Sequence, residues 1–566
     1  MVTRNERLRD CLGIVGGALL PVLLLRPFRN MPFQDDWIYA WRVEWFLQRG
    51  ELRLLGDIAP GPVEVQAANP NLAQVLWGAL LSRLFGFSFT TLQISTWILA
   101  VACLCGLYLL LRELQASRRD SWIATALLGL NPIFFTLTFT FMTEVPLVAA
   151  IVWCSLAMAR ALRLRSLPWL GAAMLLAVAA IGVRVVAVAL PVAMALTLFL
   201  HDPEWGRRKA RFLLPLAPLA LALAPLLWWW SGVRAERPLG MMNFLMLGPK
   251  MVPGFIYVGL MVGLALLPLS VAYLGDRGIL RRWIKPFLGM GVSLAGMIVL
   301  VSLFVAPRMG LNRYWFLRVL PPAHSFWAVT EVGSSSREIP KVLSYEEKRA
   351  RIMPLGTRIW PDVPLWLALP VTAAGLASFA AILACLWRRP ATPAEKFLLW
   401  AIAGQFLLFC LLSSFNDRYV LPLAPLLMAM LVGARRIARP AVSIVLTAVM
   451  GIGSMVVMRD YLEFDRTLWG AVEELRGRGA RDWEINAGYF ANCWLWFAHR
   501  DHAPRAKDGQ VVDPGDYDVL AETQRFSVAH SPLPNHRVIR VIAYKSWLGR
   551  EGSIHILEAE KTPPAR

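Results

Sequence analysis

The sequence predicts an all-α polytopic membrane protein that ends in a small C-terminal α/β domain outside the bilayer. Three observations predict it. Apolar runs of roughly 15–22 residues recur from the N-terminus to Met458, each long enough to cross a bilayer. The chain is 57% hydrophobic and only 17% charged over 566 residues, and its runs are continuous rather than alternating, which excludes a β-barrel. The surplus of 58 Lys/Arg over 38 Asp/Glu falls in every second connection between runs, as in loops retained in the cytoplasm.

The net charge of +20 does not mark a nucleic-acid partner. From Arg459 to Arg566 there are 15 Lys/Arg against 16 Asp/Glu, so the tail is near neutral and the basic surplus lies among the spans. The seven Cys residues are scattered, and all but Cys493 sit in apolar runs. They form neither a disulfide framework nor a zinc spacing.

The spans, about thirteen in number, follow in order. Arg4, Arg7 and Arg9 precede a run from Cys11 to Leu25. No small-residue cleavage site follows it, so it reads as an uncleaved first span with a cytoplasmic N-terminus. Residues 27–91 form a first external loop. Within it, Asp36 to Gln48 is an aromatic, amphipathic helix suited to the interface plane, and Asn69 to Gly86 is assigned to the outer interface or a re-entrant position. Spans are then expected over Leu92–Leu111, Trp122–Phe141 and Val145–Ala161. The stretch from Pro168 to Leu200 is broken by Arg184 and makes two short spans that meet outside. Phe212–Trp230, Val252–Leu274 and Pro286–Ala306 come next, then a long external loop over residues 307–362. Span ten follows, span eleven ends near Ser413, span twelve covers Val420–Val432, and the thirteenth ends near Met458. The transmembrane domain is therefore residues 1–458.

Residues 459–566 read as the soluble domain. Asp465 to Arg478 has Leu468, Ala471, Val472 and Leu475 on one helical face, whereas Val538–Tyr544 and Ile554–Leu557 read as strands. An odd span count places this domain outside the cytoplasmic membrane, in the periplasm or extracellular space.

Chemistry is expected where ionised groups stand in apolar surroundings. In Met31-Pro-Phe-Gln-Asp-Asp-Trp-Ile-Tyr-Ala40, Asp35 and Asp36 are adjacent carboxylates among aromatic residues. Such a pair can act as a general base toward a hydroxyl or amine, hold a divalent metal, or cap the following helix. Glu144, in Phe141-Met-Thr-Glu-Val-Pro146, is a lone acid between two apolar spans. It is either a second acid at the same site or an interfacial helix cap. Arg184, in Ile181-Gly-Val-Arg-Val185, is a cation alone in 33 apolar residues. It calls for an anion at the outer leaflet, such as a lipid phosphate, or snorkels to headgroups. Arg418 and Tyr419, in Asn416-Asp-Arg-Tyr-Val-Leu-Pro422, suit a phosphate clamp, unless Asp417 simply pairs with the arginine. Arg313 and His324 in the long loop, and His499, Asp501 and His502 in the tail, are weaker candidates. No Gly-rich phosphate loop, nucleophile elbow or His-Glu-x-x-His motif is present.

Taken in order, these motifs resemble the membrane-embedded glycosyltransferases of the C superfamily. They are the acid pair after span one, the Asn69-Pro-Asn-Leu72 before span two, the acid and Pro after span three, the lone Arg between spans five and six, and the late Arg-Tyr-x-x-Pro. Within it the chain is most similar to glycosyltransferase family 39, the branch of protein O-mannosyltransferases and lipid A aminoarabinose transferases. Arg466 to Trp496 also resembles the external domain of bacterial members. The resemblance implies a sugar donor on a polyprenyl phosphate and transfer on the outer face of the membrane with inversion at the anomeric carbon. Asp35 or Asp36 would activate the acceptor. Glu144 would orient the acceptor or, with Asp36, hold a divalent metal, and Arg184 and Arg418, with Tyr419, would hold the donor phosphate. At Ala68-Asn-Pro-Asn71 the chain departs from the His or Glu with Pro-Pro common in the family. The partners expected are the lipid-linked donor, membrane lipids and an acceptor glycan, lipid or protein. A flippase, exporter or ligase of lipid-linked saccharides is the alternative. A carrier spreads charge through the mid-bilayer on repeated halves, whereas here the unusual charges gather on one side.

Overall fold

The computed structural model describes residues 4–33, 36–52, 71–201, 255, 258–274, 365–386, 392–410, 417–497, 502, 524–529, 532–533, 535–545, 547 and 551–560. Asp35, the expected spans over Phe212–Trp230 and Pro286–Ala306, the 307–362 loop with Arg313 and His324, and His499 and Asp501 lie outside the described residues.

The protein is mostly helical. In chain order the helices are α1 (Arg4–Leu25), α2 (Asp36–Arg49), α3 (Leu72–Phe85), α4 (Phe89–Glu113), α5 (Arg118–Leu130), α6 (Pro132–Leu137), α7 (Glu144–Leu164), α8 (Leu167–Val183) and α9 (Ala189–His201). Then come α10 (Leu267–Leu274), α11 (Leu365–Leu386), α12 (Pro393–Cys410), α13 (Leu423–Ala434), α14 (Pro440–Gly477) and α15 (Tyr489–Phe497). Among the described residues, α1, α4, α7 and α14 are long and apolar enough to cross a membrane, and shorter apolar helices accompany them. About thirteen spans were expected; four are clear.

Local sequence explains the boundaries that matter for the site. Ser88 starts α4 by accepting the Thr91 amide at 3.0 Å, an N-cap bond. The expected continuous span over Trp122–Phe141 is instead broken into α5 and α6. Pro132 has no amide to continue the ladder, and the Asn131 carboxamide oxygen accepts from Ile133 and Phe134 at 3.1 and 3.3 Å, so Asn131 starts a new helix rather than extending the old one. Residues 138–143 then form a short connection into α7, whose first residue is Glu144. The apolar stretch that follows breaks at Arg184, as expected. α8 ends at Val183, a 3₁₀ turn covers Val185–Val188, and α9 resumes at Ala189.

The main core joins α2, α3, α4, α5, α7, α8 and α13, with Trp37, Val43, Leu107, Phe141 and Met158 among its fully buried members. Leu23 and Leu24 of α1, and Ile444, Val445, Val449 and Ile452 of α14, stay exposed. They form apolar stripes of the kind that lipid covers.

The last span and the first helix of the tail are one continuous helix, the 38-residue α14. Its far half buries Leu468, Ala471, Val472 and Leu475, the face expected from the sequence. They pack against a mixed sheet of order β1-β2-β4-β3, formed by β1 (Ile485–Asn486), β2 (Phe526–Ala529), β3 (His536–Lys545) and β4 (Glu551–Ala559). β1 is parallel to β2, and the other pairs are antiparallel. β3 and β4 are the two strands expected from the sequence.

Candidate active site

Glu144 is the centre of the site. It begins α7, where the helix dipole favours a carboxylate, and is only 1% exposed. Its Oε1 accepts from Arg184 Nη1 at 2.8 Å and lies 3.2 Å from Arg418 Nε. The same Arg184 nitrogen donates to Thr143 Oγ1 at 3.1 Å. Tyr419 lies beneath both cations: its ring centroid is 4.4 Å from the Arg184 guanidinium carbon and 5.9 Å from that of Arg418. Two helix breaks far apart in sequence supply these groups. The α8–α9 break carries Arg184, and the 3₁₀ turn Asp417–Val420 ahead of α13 carries Arg418 and Tyr419. Two guanidiniums meeting at one buried carboxylate present the planar donors that suit a phosphate group.

Asp36 reaches the same connection by a different route. It starts α2 and is fully buried. Its Oδ1 accepts from the Phe33 amide at 2.6 Å, and its Oδ2 accepts from the Phe141 amide at 3.3 Å. The Phe141 carbonyl in turn accepts from Gln74 Nε2 at 2.6 Å. The peptide three residues before Glu144 is therefore clamped between α2 and α3. α3 also meets the Arg184 break: a Cβ on Gly182 would lie 3.2 Å from the Ala73 Cβ.

Asp36, Glu144, Arg184, Arg418 and Tyr419 thus belong to one connected set. Gln74 and Thr143 complete it and were not singled out from the sequence. A glutamine inside the apolar run 72–85 was the available signal for the first. Tyr39, one turn beyond Asp36, is also within electrostatic reach of Arg184. One turn further on, burial pulls the Arg42 guanidinium down to about 10, with Tyr39 working the other way. In the tail, His502 stacks on Trp483 with ring centroids 4.3 Å apart, and this pair does not join the set.

Among the described residues, no three His, Cys, Asp or Glu side chains gather as metal ligands. Both Asp36 oxygens face backbone amides, and Glu144 Oε1 faces two guanidiniums whose charge repels a divalent cation. No step below uses a metal.

Residues 74–230 match the family model described as dolichyl-phosphate-mannose-protein mannosyltransferase. The matched segment contains Gln74, Glu144 and Arg184, and leaves out Asp36, Arg418 and Tyr419. No curated protein matches the chain. Among solved structures, ArnT from Cupriavidus metallidurans bound to undecaprenyl phosphate is 11% identical, with a TM-score of 0.49 over 98% of this chain and 99% of that one. The Archaeoglobus fulgidus oligosaccharyltransferase in its apo form is 14% identical, with a TM-score of 0.47 over 92% of this chain and 69% of that one. Over residues 74–230, this chain therefore resembles the dolichyl-phosphate-mannose-protein mannosyltransferases.

Proposed function

We propose that this protein transfers a sugar from a polyprenyl-phosphate donor to a hydroxyl or amine of a glycan, lipid or protein acceptor, on the outer face of the cytoplasmic membrane. The observation that carries the reading is the buried Glu144 held between Arg184 and Arg418 over the Tyr419 ring. The family description supports it by naming a dolichyl-phosphate sugar.

In the proposed reaction, the acceptor oxygen or nitrogen attacks the anomeric carbon from the side opposite the phosphate. The carbon–oxygen bond to phosphate breaks, and polyprenyl phosphate leaves with the bonding electrons. The acceptor proton passes to a carboxylate of the Asp35/Asp36 pair. Arg184 and Arg418 meet the charge that grows on the leaving phosphate, and Tyr419 holds their planes. Glu144 fixes the two guanidiniums. Asp36, with both oxygens engaged by amides, also holds the 138–143 connection in place.

The test is transfer by the full-length protein in lipid nanodiscs, from polyprenyl-phosphate mannose and other polyprenyl-phosphate sugars. It is paired with mass spectrometry of membrane lipids, surface polysaccharide and exported proteins in cells with and without the gene. The wild type should release free polyprenyl phosphate as product forms. Asp35→Asn and Asp36→Asn, made singly and together, divide the base role between the two acids. Full turnover in the double variant would remove the acid pair from the mechanism.

A further inference from the structure

Three oxygen atoms stand out beside the arginine clamp. Asn71 Oδ1, Gln74 Oε1 and Glu144 Oε2 are all buried, and none has a hydrogen-bond partner. Their residues are 3%, 1% and 1% exposed. Leaving such an atom unpaired costs about 1–3 kcal/mol, so three together call for a ligand. Asn71 and Gln74 lie one turn apart and share a face of α3. Gln74 is tied to the Phe141 carbonyl through its nitrogen. A carbonyl can only accept, so the orientation of the Gln74 amide is fixed and its free atom is the oxygen. Asn71 precedes α3 with φ +44° and ψ +25° and makes no side-chain capping bond. It sits in the left-handed region, at a helix start where an asparagine oxygen ordinarily caps, yet its oxygen is left for something else.

All three atoms are hydrogen-bond acceptors, and one carries negative charge. They need a partner rich in O–H or N–H groups. Glu144 connects them to the clamp, with Oε1 against the arginines and Oε2 left over. Positive charge on one side of a single carboxylate and unpaired acceptors on the other match a sugar linked to phosphate.

We propose that Asn71, Gln74 and Glu144 form the subsite that reads the donor sugar, and that it selects neutral or amino sugars and rejects uronic acids. A uronate would bring a carboxylate against three acceptors, whereas sugar hydroxyls or an ammonium group satisfy them. The proposal rests on the polyprenyl-phosphate reading above.

The test measures binding of four ligands to the full-length protein in nanodiscs: bare polyprenyl phosphate, and the same lipid carrying mannose, a 4-amino pentose or glucuronate. At least one of the mannosyl and aminopentosyl lipids should bind tighter than the bare lipid, and the glucuronyl lipid weakest of the four. Asn71→Gly keeps the left-handed backbone and removes the oxygen. It should cost up to about tenfold for the preferred sugar lipid and leave bare polyprenyl phosphate unchanged, which also reports correct folding. Asn71→Asp should restore the preference. Should Asn71→Gly fail to fold, deoxy analogues of the preferred sugar on the wild-type protein replace it, and at least one should bind several-fold more weakly. Equal binding of every sugar lipid and the bare lipid, tightest binding of the glucuronyl lipid, no effect of Asn71→Gly on the sugar preference, or no effect of any deoxy analogue overturns the subsite while leaving phosphate binding intact. Failure of the wild type to bind bare or sugar-bearing polyprenyl phosphate overturns the function itself, and the subsite with it.

Discussion

A carboxylate that faces two guanidiniums out of water stabilises them only while it stays charged. Replacing Glu144 by Gln keeps its shape and removes the buried carboxylate that Arg184 and Arg418 both face, and breaking such a buried pair costs about 3–5 kcal/mol. Glu144→Gln should therefore lower the melting temperature and reduce transfer by at least about a hundredfold, read by thermal unfolding and by product formation. Arg184 is a second residue where chemistry and shape are inseparable. Its guanidinium reaches Glu144 and Thr143 and lies over Tyr419. A lysine offers a point charge without the planar fork. Arg184→Lys should raise the KM for the donor about tenfold while thermal stability stays near wild type. An unchanged donor KM would remove Arg184 from phosphate binding.

Charge made the residues of this set readable in the sequence. Glu144, Arg184 and Arg418 stood out because an ion in an apolar run is costly unless something compensates it. Gln74 and Thr143 carry no such cost and give no such signal, although they make the bonds that position the charged groups. Asp36 is legible as an acid, but its role as a brace depends on the Phe141 amide 105 residues away, which no local pattern reveals.

Among the elements, α3 decides whether the 138–143 connection sits correctly. Gly78, one turn beyond Gln74, leaves room for the Phe141 ring. An added Cβ would lie 2.6 Å from Phe141 Cζ, 2.9 Å from Val43 and 3.1 Å from Leu92. All three neighbours are fully buried, so none can swing out to solvent. Gly78→Val should destabilise the protein by about 1–3 kcal/mol and lower turnover by pushing Phe141, and with it Glu144, out of register. Wild-type activity in that variant would show that the connection tolerates movement. At this scale apolar periodicity locates most of the described helices, and charge marks the break at Arg184, but the break between α5 and α6 reads as one span. Asn131-Pro132 was visible, yet its neighbours are as apolar as the spans they interrupt, and hydrophobicity alone reads across it. β1 has two residues and β2 has four. Such short strands are defined by their neighbours in the sheet and leave little pattern of their own.

Across the whole molecule, the tail is tied to the segment that carries Asp36. Arg29 Nη1 donates to the Leu462 carbonyl at 2.8 Å and lies 3.5 Å from Asp465. Arg466 donates to the Leu25 carbonyl at 3.3 Å. Both anchors come from α14, and they hold the end of α1 and the stretch that follows it. Asp465→Ala would remove the nearest carboxylate of the buried Arg29 and leave Glu463 as its remaining acidic neighbour, at a cost of about 1–3 kcal/mol. It should lower both the melting temperature and turnover, although residue 465 is in the tail. Loss of stability with turnover per folded molecule unchanged would show that the tail does not position the acid segment. The sequence marked the tail as a separate soluble domain because its composition shifts at residue 459. It did not show the tie, because Arg29 and Asp465 are 436 positions apart and each alone resembles an ordinary surface charge.

One dimension of α14 sets how the chain meets its surroundings. At about 1.5 Å per residue its 38 residues reach about 57 Å, nearly twice the thickness of a hydrocarbon layer. The sheet is thus borne on a stiff mast rather than a tether. Its position relative to the apolar half of the helix is set by the backbone ladder and not by a flexible linker.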